Sequence, residues 1–524
     1  MTITTAVPGQ TTRRPGAVLA VMCLAVFTVN VDTTIVNVAL PTLVRELGAT
    51  TRDLQWIVDS YLLVFAALVL AGGSLSDRLG RRGVLVAGLA VFGLGNALAA
   101  FASTPGELIA ARAFTGIGAA AVFPTTLSIL TQVFRERAAR AKAIGLWGAS
   151  SGVAVAFGPI TGGALLEEYW WGSTFLIKIP IAVIALALVL LLVSESKDPS
   201  APRLDLPGLV LSALALAALV YTIIEAPGRG WSSSATLLGF GAATVLLLAF
   251  VQRERTAVEP MLDLGLFADR RFTAAALAIT VAFFALFGFI FLMTQYFQFL
   301  RGYSPLETGV RILPVALCVA LGSVAGSLLV VRLGNKLVVT AGLLSLSASY
   351  AWISTASNVT SYREIVGQMV LLGLGMGLTS APATESIMGA VQTEKAGIGS
   401  AVNDATREVG GTLGVAVIGS VFASLYASEL EAAGAALPAG VAAQAGESVG
   451  AAFSIAAKLP DGPAAALRTA VEAGFLDGLQ AGCLVASGVA LAGAVVAALA
   501  LPARPAEVEA DAPAELGRVA VPAS

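Results

Sequence analysis

The chain has 524 residues, of which 57% are hydrophobic and 12% charged, and its mean hydropathy is +0.86. This charged fraction is about half that of an average soluble protein, which argues against a soluble globular enzyme. A net charge of −2 gives no global field for nucleic acid. The chain contains no histidine, which excludes imidazole metal ligands and Ser-His-Asp triads and leaves proton handling to carboxylates.

Cofactor signatures are also missing from the sequence. The three cysteines, Cys23, Cys318 and Cys483, lie singly in apolar segments, so neither a disulfide framework nor a CxxC metal site is predicted. The chain has no GxxxxGK[ST] phosphate loop, and the glycines of GLGMGL (373–378) belong to an apolar helix rather than to a nucleotide-binding turn. We therefore expect no metal, no cofactor and no use of ATP.

Apolar segments of about 20 residues recur along the whole chain, as in membrane-spanning helices. The segment 427–476 is rich in Ala and Gly and too polar to span, so we predict a large extracytoplasmic loop with short helices there. The tail 502–524 is predicted to be disordered and cytoplasmic. The fourteen candidate spans lie near 16–40, 54–75, 84–103, 106–130, 142–165, 174–193, 206–226, 235–252, 272–298, 305–330, 337–356, 364–386, 396–426 and 477–501.

The distribution of basic residues predicts the orientation. Twenty of the 31 Lys and Arg residues flank the spans on the side of the N-terminus, seven lie on the other side and four lie within or at the ends of spans. Because cytoplasmic flanks accumulate Lys and Arg, both termini are predicted to be cytoplasmic. The first span has no small-x-small cleavage site, so we expect a retained helix rather than a signal peptide.

An internal repeat relates two halves of the chain. The segment Arg78–Arg82, which reads RLGRR, has a counterpart in Arg332–Lys336, RLGNK, at an offset of 254 residues, and Gly72 matches Gly326 at the same offset. Duplicated bundles with a midplane site between them are typical of secondary transporters. The predicted units are a cytoplasmic N-terminus 1–15, a six-helix bundle 16–193, two inserted helices 206–252 and a second six-helix bundle 272–501.

The loop between spans 2 and 3 carries the most specific motif, GGSLSDRLGRR. It resembles the loop motif of the major facilitator superfamily. That resemblance implies a conformational latch, in which Asp77 pairs with basic residues and a helix N-terminus of the other half. A basic loop that only sets topology is the alternative. The latch residues are Gly73, Asp77, Arg78, Gly80 and Arg81.

Further motifs resemble the 14-helix drug:proton antiporters of that superfamily. They are VNVDTTIVNVALP (29–41), Arg112 with GIGAA (116–120), the span-5 glycines and EPMLDLGLF (259–267). The similarity extends over about 16–501 and is strongest to quaternary-ammonium and fluoroquinolone efflux pumps. It implies an all-α major facilitator fold, two six-helix bundles plus two extra helices, in the cell membrane. It also implies proton-coupled efflux of hydrophobic, cationic drugs or antibiotics by alternating access.

Span 5 carries a series of small residues, including Gly152, Gly158, Pro159 and Gly162. Small residues at four-residue spacing let helices touch backbone to backbone, and an internal proline kinks a helix. Plain helix packing explains the pattern without a transport role. The resemblance adds that such a span is characteristic of exporters rather than uptake systems.

Charged residues within the spans are the candidate site. An ionised carboxylate at a helix centre costs about 2.5–3.5 kcal/mol, so these groups must line a cavity, pair or be protonated. Asp404 and Glu408 are four residues apart and share one helix face. The acids are Asp32, Asp59, Glu385, Asp404 and Glu408. The resemblance implies proton or cation handling for all of them except Glu385, whose role stays open.

Each of these residues also has a structural alternative. Asp32 can form an ion pair with Arg112 of span 4, which is itself a candidate coupling residue, and Asp404 can pair with Arg407 as a gate. Asp59 and Glu408 can be hydrogen-bonded packing residues. Lys178 stands where the family usually has Asn, and Thr115 where Gln is common. Lys178 either faces the cavity and disfavours cations, or extends to the membrane interface.

The sequence leaves other functions open. The same fold also serves proton-coupled uptake symporters, and a dedicated exporter of one antibiotic or envelope metabolite has the same diffuse apolar pocket as a multidrug pump. A membrane sensor or scaffold that binds a partner through 427–476 or the tail is a further alternative. The expected partners are small hydrophobic drugs or cations, protons and the lipid bilayer.

Overall fold

The computed structural model describes residues 14–197, 204–391, 396–433 and 445–502. Within these ranges the chain is helical without strands, and fourteen helices are long and apolar enough to cross a membrane, which confirms the predicted number. We number these helices α1 to α14. Their bounds are Pro15–Leu47, Thr51–Leu79, Arg81–Ala100, Pro105–Val133, Arg137–Glu168, Ser173–Leu192, Leu206–Arg229, Ser234–Thr256, Arg270–Leu300, Pro305–Leu333, Asn335–Ile353, Tyr362–Ala390, Ala396–Ala433 and Asp461–Ala500.

Local signals set the helix ends. Thr50 and Ser304 cap α2 and α10, and each forms a reciprocal capping box with an acid three residues later. Gly48 ends α1 in the left-handed conformation, with φ of 65°, where a side chain would be strained. We call the face of the bundle at which α1 begins the N-terminal face, and the other the opposite face.

Two six-helix bundles, α1–α6 and α9–α14, repeat the same packing. In the first, α2 packs on α4, α3 on α4 and on α6, and α1 on α5; the corresponding pairs pack together in the second. Gly72 lies against Ala120 of α4 and Gly326 against Leu378 of α12. Gly80 and Gly334, also 254 residues apart, both have positive φ. The repeat read from the sequence is therefore a repeat of helix packing.

Helices α7 and α8 form a hairpin beside the two bundles. Helix α7 packs on α2 of the first bundle and α13 of the second, where Ile224 and its neighbours cluster with Leu63 and Ala416. At the N-terminal face, Arg253 donates three hydrogen bonds to Asp205 at 2.9–3.1 Å. These bonds hold the pKa of Asp205 below its usual value. The hairpin thus lies along one side of the seam between the bundles.

The two bundles touch close to the opposite face. Gln55 of α2 donates to the carbonyl of Ala416 in α13 at 3.1 Å and to Ser420 at 3.2 Å. On the other side of the seam, Gly309 of α10 lies against the Pro159 carbonyl of α5. Nearer the N-terminal face, a cavity of about 140 Å³ lies between α2 and α13, lined by Leu70, Val402, Ala405 and others. On the other side of the seam, Gly148 and Gly152 of α5 have nothing within 4 Å of their missing Cβ atoms. We infer from these features that a wedge between the bundles widens toward the N-terminal face.

Much of the segment 427–476 is helical. Helix α13 continues to Ala433, a short helix spans Val449–Ala456, and α14 begins at Asp461. Gly450 of the short helix lies against Val44 of α1 and Phe299 of α9, so the segment covers the seam at the opposite face. Low hydropathy marks residues outside the bilayer, but Ala-rich sequence still favours helix. Residues 434–444 of this segment, residues 1–13 and the tail from 503 lie outside the described residues.

Candidate functional site

An ion-paired triad lies inside the first bundle. Asp32 is the eighteenth of the 33 residues of α1 and so lies midway along that helix. Its Oδ2 accepts from Arg112 of α4 and its Oδ1 from Lys178 of α6. All three side chains are at most 2% exposed. One carboxylate thus carries two cations in the interior of the bundle.

Aromatic rings complete the surroundings of the two cations. The Arg112 guanidinium lies over the Tyr61 ring at 4.3 Å, and the Lys178 ammonium over the Phe175 ring at 4.4 Å. Arg112 Nε also donates to the Ile57 carbonyl of α2 at 3.2 Å. Such contacts stabilise desolvated cations. The triad therefore joins α1, α2, α4 and α6 around one buried cluster.

Lys178 belongs to this buried cluster, although the sequence did not single it out as a candidate site residue. Lys178 does not extend to the membrane interface. It is the sixth residue of α6 and turns toward α1, where its ammonium donates a hydrogen bond to Asp32. The signal available in the sequence was a cation that an apolar span retains although burial is expensive. The rotation of α6 about its axis, which brings Lys178 to the same carboxylate as Arg112, cannot be deduced from the sequence.

Asp59 is buried without a partner. It is fully buried in α2, and neither of its carboxylate oxygens has a hydrogen-bond partner among the described residues. One helical turn away, Gln55 contacts α13 at the seam between the bundles. A carboxylate in this setting is stable when protonated, since an ionised group without partners is costly to bury. The hydrogen-bonded packing role considered for Asp59 is not seen in this conformation.

Helix α13 contributes a second charged cluster. Asp404 accepts from Asn403 at 3.3 Å, and Glu408 Oε2 has no partner within the described part of the chain. Arg407 donates to Thr384 of α12 at 3.1 Å and lies over the Phe283 ring. Among the described residues no ion pair within 4 Å joins Asp404 and Arg407, so the pair considered as a gate is not formed here.

Tyr61 links the two charged clusters. Its ring covers Arg112, and its hydroxyl has no hydrogen-bond partner in the described ranges. Asp32 and Arg112 act on it electrostatically from the first bundle and Glu408 from the second. The structure thus brings Asp32, Arg112 and Glu408 to one region between the bundles, whereas Glu385 is exposed on α12.

The predicted latch residues make their contacts within the first bundle. Asp77 pairs with Arg81 one turn later at 2.9 Å, and Arg81 donates to Gln132 of α4 at 2.9 Å. Gly80 forms the turn after α2 with φ of 124°. A Cβ atom on Gly73 would lie 3.5 Å from the Cβ of Pro124 in α4. Arg78 is exposed. Among the described residues, no ion pair joins Asp77 to the second bundle in this conformation.

The small residues of α5 divide into two sets. Gly158 and Gly162 lie against Thr34 and Ile35 of α1, and Gly163 lies against Pro305 and Leu306 of α10. Gly152 faces open space, with nothing within 4 Å of its missing Cβ. The close helix approach predicted from the series is therefore limited to the part of α5 near the opposite face, where the bundles touch.

The described residues offer no group of three or more Cys, Asp and Glu side chains arranged to hold a metal ion. The site is instead a set of buried charges that the two bundles share. Such a set can bind a cation, exchange a proton or change partners when the bundles move, because each embedded charge is stable only with a partner or a proton.

Comparison with known proteins agrees with this architecture. Residues 22–415 match the family model described as Major Facilitator Superfamily. The chain is 35% identical to the multidrug efflux pump LfrA of Mycolicibacterium smegmatis over 94% of its length and 97% of LfrA. It is 32% identical to the tetracenomycin C resistance and export protein of Streptomyces glaucescens over 98% of its length and 95% of that protein.

A solved structure shares the fold. A bacterial homologue of the human lysosomal transporter Spinster, in an inward-facing and occupied conformation, superposes with a TM-score of 0.66 at 17% identity. The match covers 92% of this chain and 97% of that one.

Proposed function

The chain belongs to the Major Facilitator Superfamily and is an efflux transporter rather than an enzyme, and on that premise we propose that it exchanges external protons for hydrophobic drugs, cations among them. The single observation that carries the proton coupling is Asp59, a fully buried carboxylate one turn from the seam between the bundles, neither of whose oxygens has a partner in the described part of the chain. Such a group is suited to gain and lose a proton as the seam opens and closes.

The proposed orientation places the N-terminal face in the cytoplasm. It rests on the excess of Lys and Arg in the connections at that face. The wedge between the bundles is then open inward in the conformation described here, and both termini are cytoplasmic. A drug enters from the cytoplasm or from the inner leaflet.

The proposed cycle uses the embedded charges in sequence. A cationic or neutral drug enters the wedge and meets Asp404 and Glu408 of α13 and the Asp32–Arg112 pair across from them. The bundles then rock about their contact near the opposite face, and external protons displace the drug. Each charge moved down the potential provides about 2.3 kcal/mol per 100 mV, so one proton per neutral drug supports a modest gradient.

We infer that the loop motif acts as the latch of this cycle. With the wedge open, Asp77 is held by Arg81 in the first bundle at 2.9 Å. Closure at the N-terminal face brings the second bundle within reach of this loop, and Asp77 then exchanges its partner for a group of that bundle. A substitution at Asp77 is expected to slow the conformational change without altering drug affinity.

A dedicated exporter of one antibiotic is the second candidate. It is favoured by the tetracenomycin C resistance and export protein, a relative named for a single compound that covers nearly the whole chain. A panel of structurally unrelated dyes and antibiotics separates the two functions. A multidrug pump protects cells against several classes, whereas a dedicated exporter protects against one.

The test is ethidium efflux from preloaded cells that express the protein, with and without a protonophore. Efflux that the protonophore abolishes, and that Asp59→Asn reduces at equal abundance in the membrane, supports the proposal. Asp461→Asn, at an exposed position outside the bilayer, is the matched control. Protonophore-resistant efflux, or wild-type efflux by Asp59→Asn, contradicts it.

A further inference from the structure

The buried triad of the first bundle has an unequal number of charges. Two cations, Arg112 and Lys178, face the single carboxylate of Asp32, and all three are buried. These are the charged groups that face the Lys178 ammonium: Asp32 from α1 and Arg112 from α4. With all three ionised the cluster carries one positive charge, and a net charge is expensive to hold in the interior of a membrane protein.

Asp32 is poorly placed to carry a proton in this arrangement. Its Oδ2 accepts from Arg112 and its Oδ1 from Lys178, so a proton on either oxygen would weaken a charge-assisted hydrogen bond. Protonation there would also leave two buried cations without an anion. Arg112 does not release its proton in proteins, because guanidinium is too weak an acid. Lys178 is the one member of the triad whose loss of a proton leaves a neutral cluster.

We propose that Lys178 is a proton-carrying residue of the transport cycle, and that its charge, rather than that of Asp32, alternates. This inference rests on the proposed function, since it identifies where one coupled proton is bound. In the deprotonation step the Nζ–H bond breaks, the electron pair stays on nitrogen and the proton passes to water in the wedge. The amine keeps two N–H donors, so its contact with Asp32 survives.

The geometry links this step to drug binding. The triad has a charge of +1 when Lys178 is an ammonium and zero when it is an amine. The positive form repels a cation in the wedge, and the neutral form admits it. Tyr61, which covers Arg112 and interacts with Glu408 of the second bundle, places the triad next to the seam. Proton and cationic drug therefore exclude each other, as exchange requires.

Burial also controls the timing of this exchange. Lys178 is fully buried in the conformation described here and its ammonium lies over the Phe175 ring. A proton on Nζ has no direct path to water until the helices around the triad rearrange. The residue therefore holds its proton in the conformation described here, and releases it to the wedge only after a rearrangement that admits water to the triad.

The experiment compares two variants in which residue 178 has a fixed charge, one neutral and one positive. Both are studied as the full chain in proteoliposomes, with ethidium as the probe. Lys178→Gln leaves the Asp32–Arg112 pair neutral at every pH, and Lys178→Arg leaves the triad permanently positive. Lys458→Gln, at an exposed residue between the short helix and α14, is the matched control. Ethidium exchange down its own gradient and uphill ethidium accumulation driven by a pH gradient are both measured.

For the wild type and Lys458→Gln, one coupled proton supports up to about ten-fold accumulation per pH unit. Lys178→Gln is expected to keep downhill exchange but to lose the pH-driven accumulation, and Lys178→Arg to lose both. Wild-type accumulation by Lys178→Gln overturns the proposal, as does complete loss of its downhill exchange. If Lys178→Arg fails to reach the membrane, Lys178→Gln alone decides.

The outcomes separate this inference from the function on which it rests. A wild-type protein that exchanges ethidium without any response to a pH gradient contradicts proton coupling as a whole. A coupled wild-type protein whose Lys178→Gln variant is equally coupled contradicts only the role of Lys178. A second readout is proton release on ethidium binding in weakly buffered detergent solution, where Lys178→Gln is expected to release fewer protons than the wild type.

Discussion

Replacement of Asp32 by Asn removes the only anion of the buried triad. The amide has the size of the carboxylate, so packing around α1 is preserved, but Arg112 and Lys178 lose their shared counterion. Lys178 can respond by releasing a proton, whereas Arg112 stays charged. The variant therefore isolates the consequence of one buried, uncompensated guanidinium.

The expected loss of stability is large. Removal of one partner from a buried ion pair costs about 3–5 kcal/mol, since the other charge stays desolvated without compensation. Here the orphaned guanidinium keeps its contact with the Tyr61 ring and one carbonyl. These weaker contacts are already present in the wild type and do not replace the carboxylate. A loss of this size is a substantial part of the stability of a typical folded domain, about 5–15 kcal/mol.

Thermal unfolding of the purified protein measures the effect through a thiol-reactive dye. Cys23 and Cys318, which are half-buried, are replaced by Ala in every variant, so that labelling of Cys483, buried in α14, reports unfolding. We expect Asp32→Asn to unfold at a clearly lower temperature than the wild type, and Asp32→Asn/Arg112→Gln to recover much of the difference because no buried charge is then orphaned. Glu46→Gln, at an exposed acid of the same helix, serves as the control.

The same variants are then assayed for pH-driven ethidium transport, which Asp32→Asn is expected to lose. Equal unfolding temperatures for the wild type and Asp32→Asn refute the reasoning, because they mean that the carboxylate does not compensate the two cations. A double variant less stable than Asp32→Asn also refutes it.

Three further predictions address the seam and the helix ends. Gln55→Leu removes the hydrogen bonds to α13 near the opposite face, so faster hydrogen exchange of α13 is expected, and unchanged exchange contradicts the proposed seal. Gly163→Val places a branched side chain against the α10 backbone, because a Cβ at this position would lie 2.6 Å from the Cα of Leu306, and it is expected to abolish transport. Gly148→Val is the control, since a Cβ there has nothing within 4 Å, and it is expected to retain transport. Arg253→Gln removes the hydrogen bonds to Asp205, which lower the pKa of that carboxyl in the folded protein. The stability that these bonds contribute is therefore fully present above the usual Asp pKa of about 3.9. It is lost as the pH falls through the lower pKa that Asp205 has in the folded protein. The difference in unfolding temperature between the wild type and Arg253→Gln should therefore shrink from pH 6 to pH 3, and a constant difference contradicts the assignment.

The sequence predicted the helical framework well, because a bilayer imposes the same length and polarity on every span. All fourteen apolar segments correspond to helices. The repeat was visible through Gly80 and Gly334, since a positive φ at a tight turn between two helices favours glycine at both positions. Residues under such a backbone constraint are easily recognised in a sequence.

Side-chain partners could not be predicted in the same way. Spans that are apolar on all sides give little indication of which face meets a neighbour. An ion pair of Asp32 with Arg112 was one of the alternatives drawn from the sequence, but the position of Lys178 depends on the rotation of α6, which local sequence does not set. Likewise, hydropathy separates membrane from water and not helix from loop, so 427–476 was predicted as a loop with short helices, whereas the flanking helices α13 and α14 extend into it.

The conformation of the molecule was also beyond the sequence. The same residues serve every state of a rocking transporter, and only the contacts differ. Asp77 shows this directly, because its motif predicts a partner in the second bundle while the open wedge leaves it with Arg81 of the first.

The central claim, exchange of drug for protons, is tested most directly by measuring both fluxes in proteoliposomes that contain the purified chain. A pH gradient is imposed, ethidium movement is followed by fluorescence, and proton movement is followed with an internal pH indicator. The account predicts uphill ethidium movement accompanied by protons in the opposite direction. Ethidium movement that ignores the gradient, or that takes protons in the same direction, would contradict it.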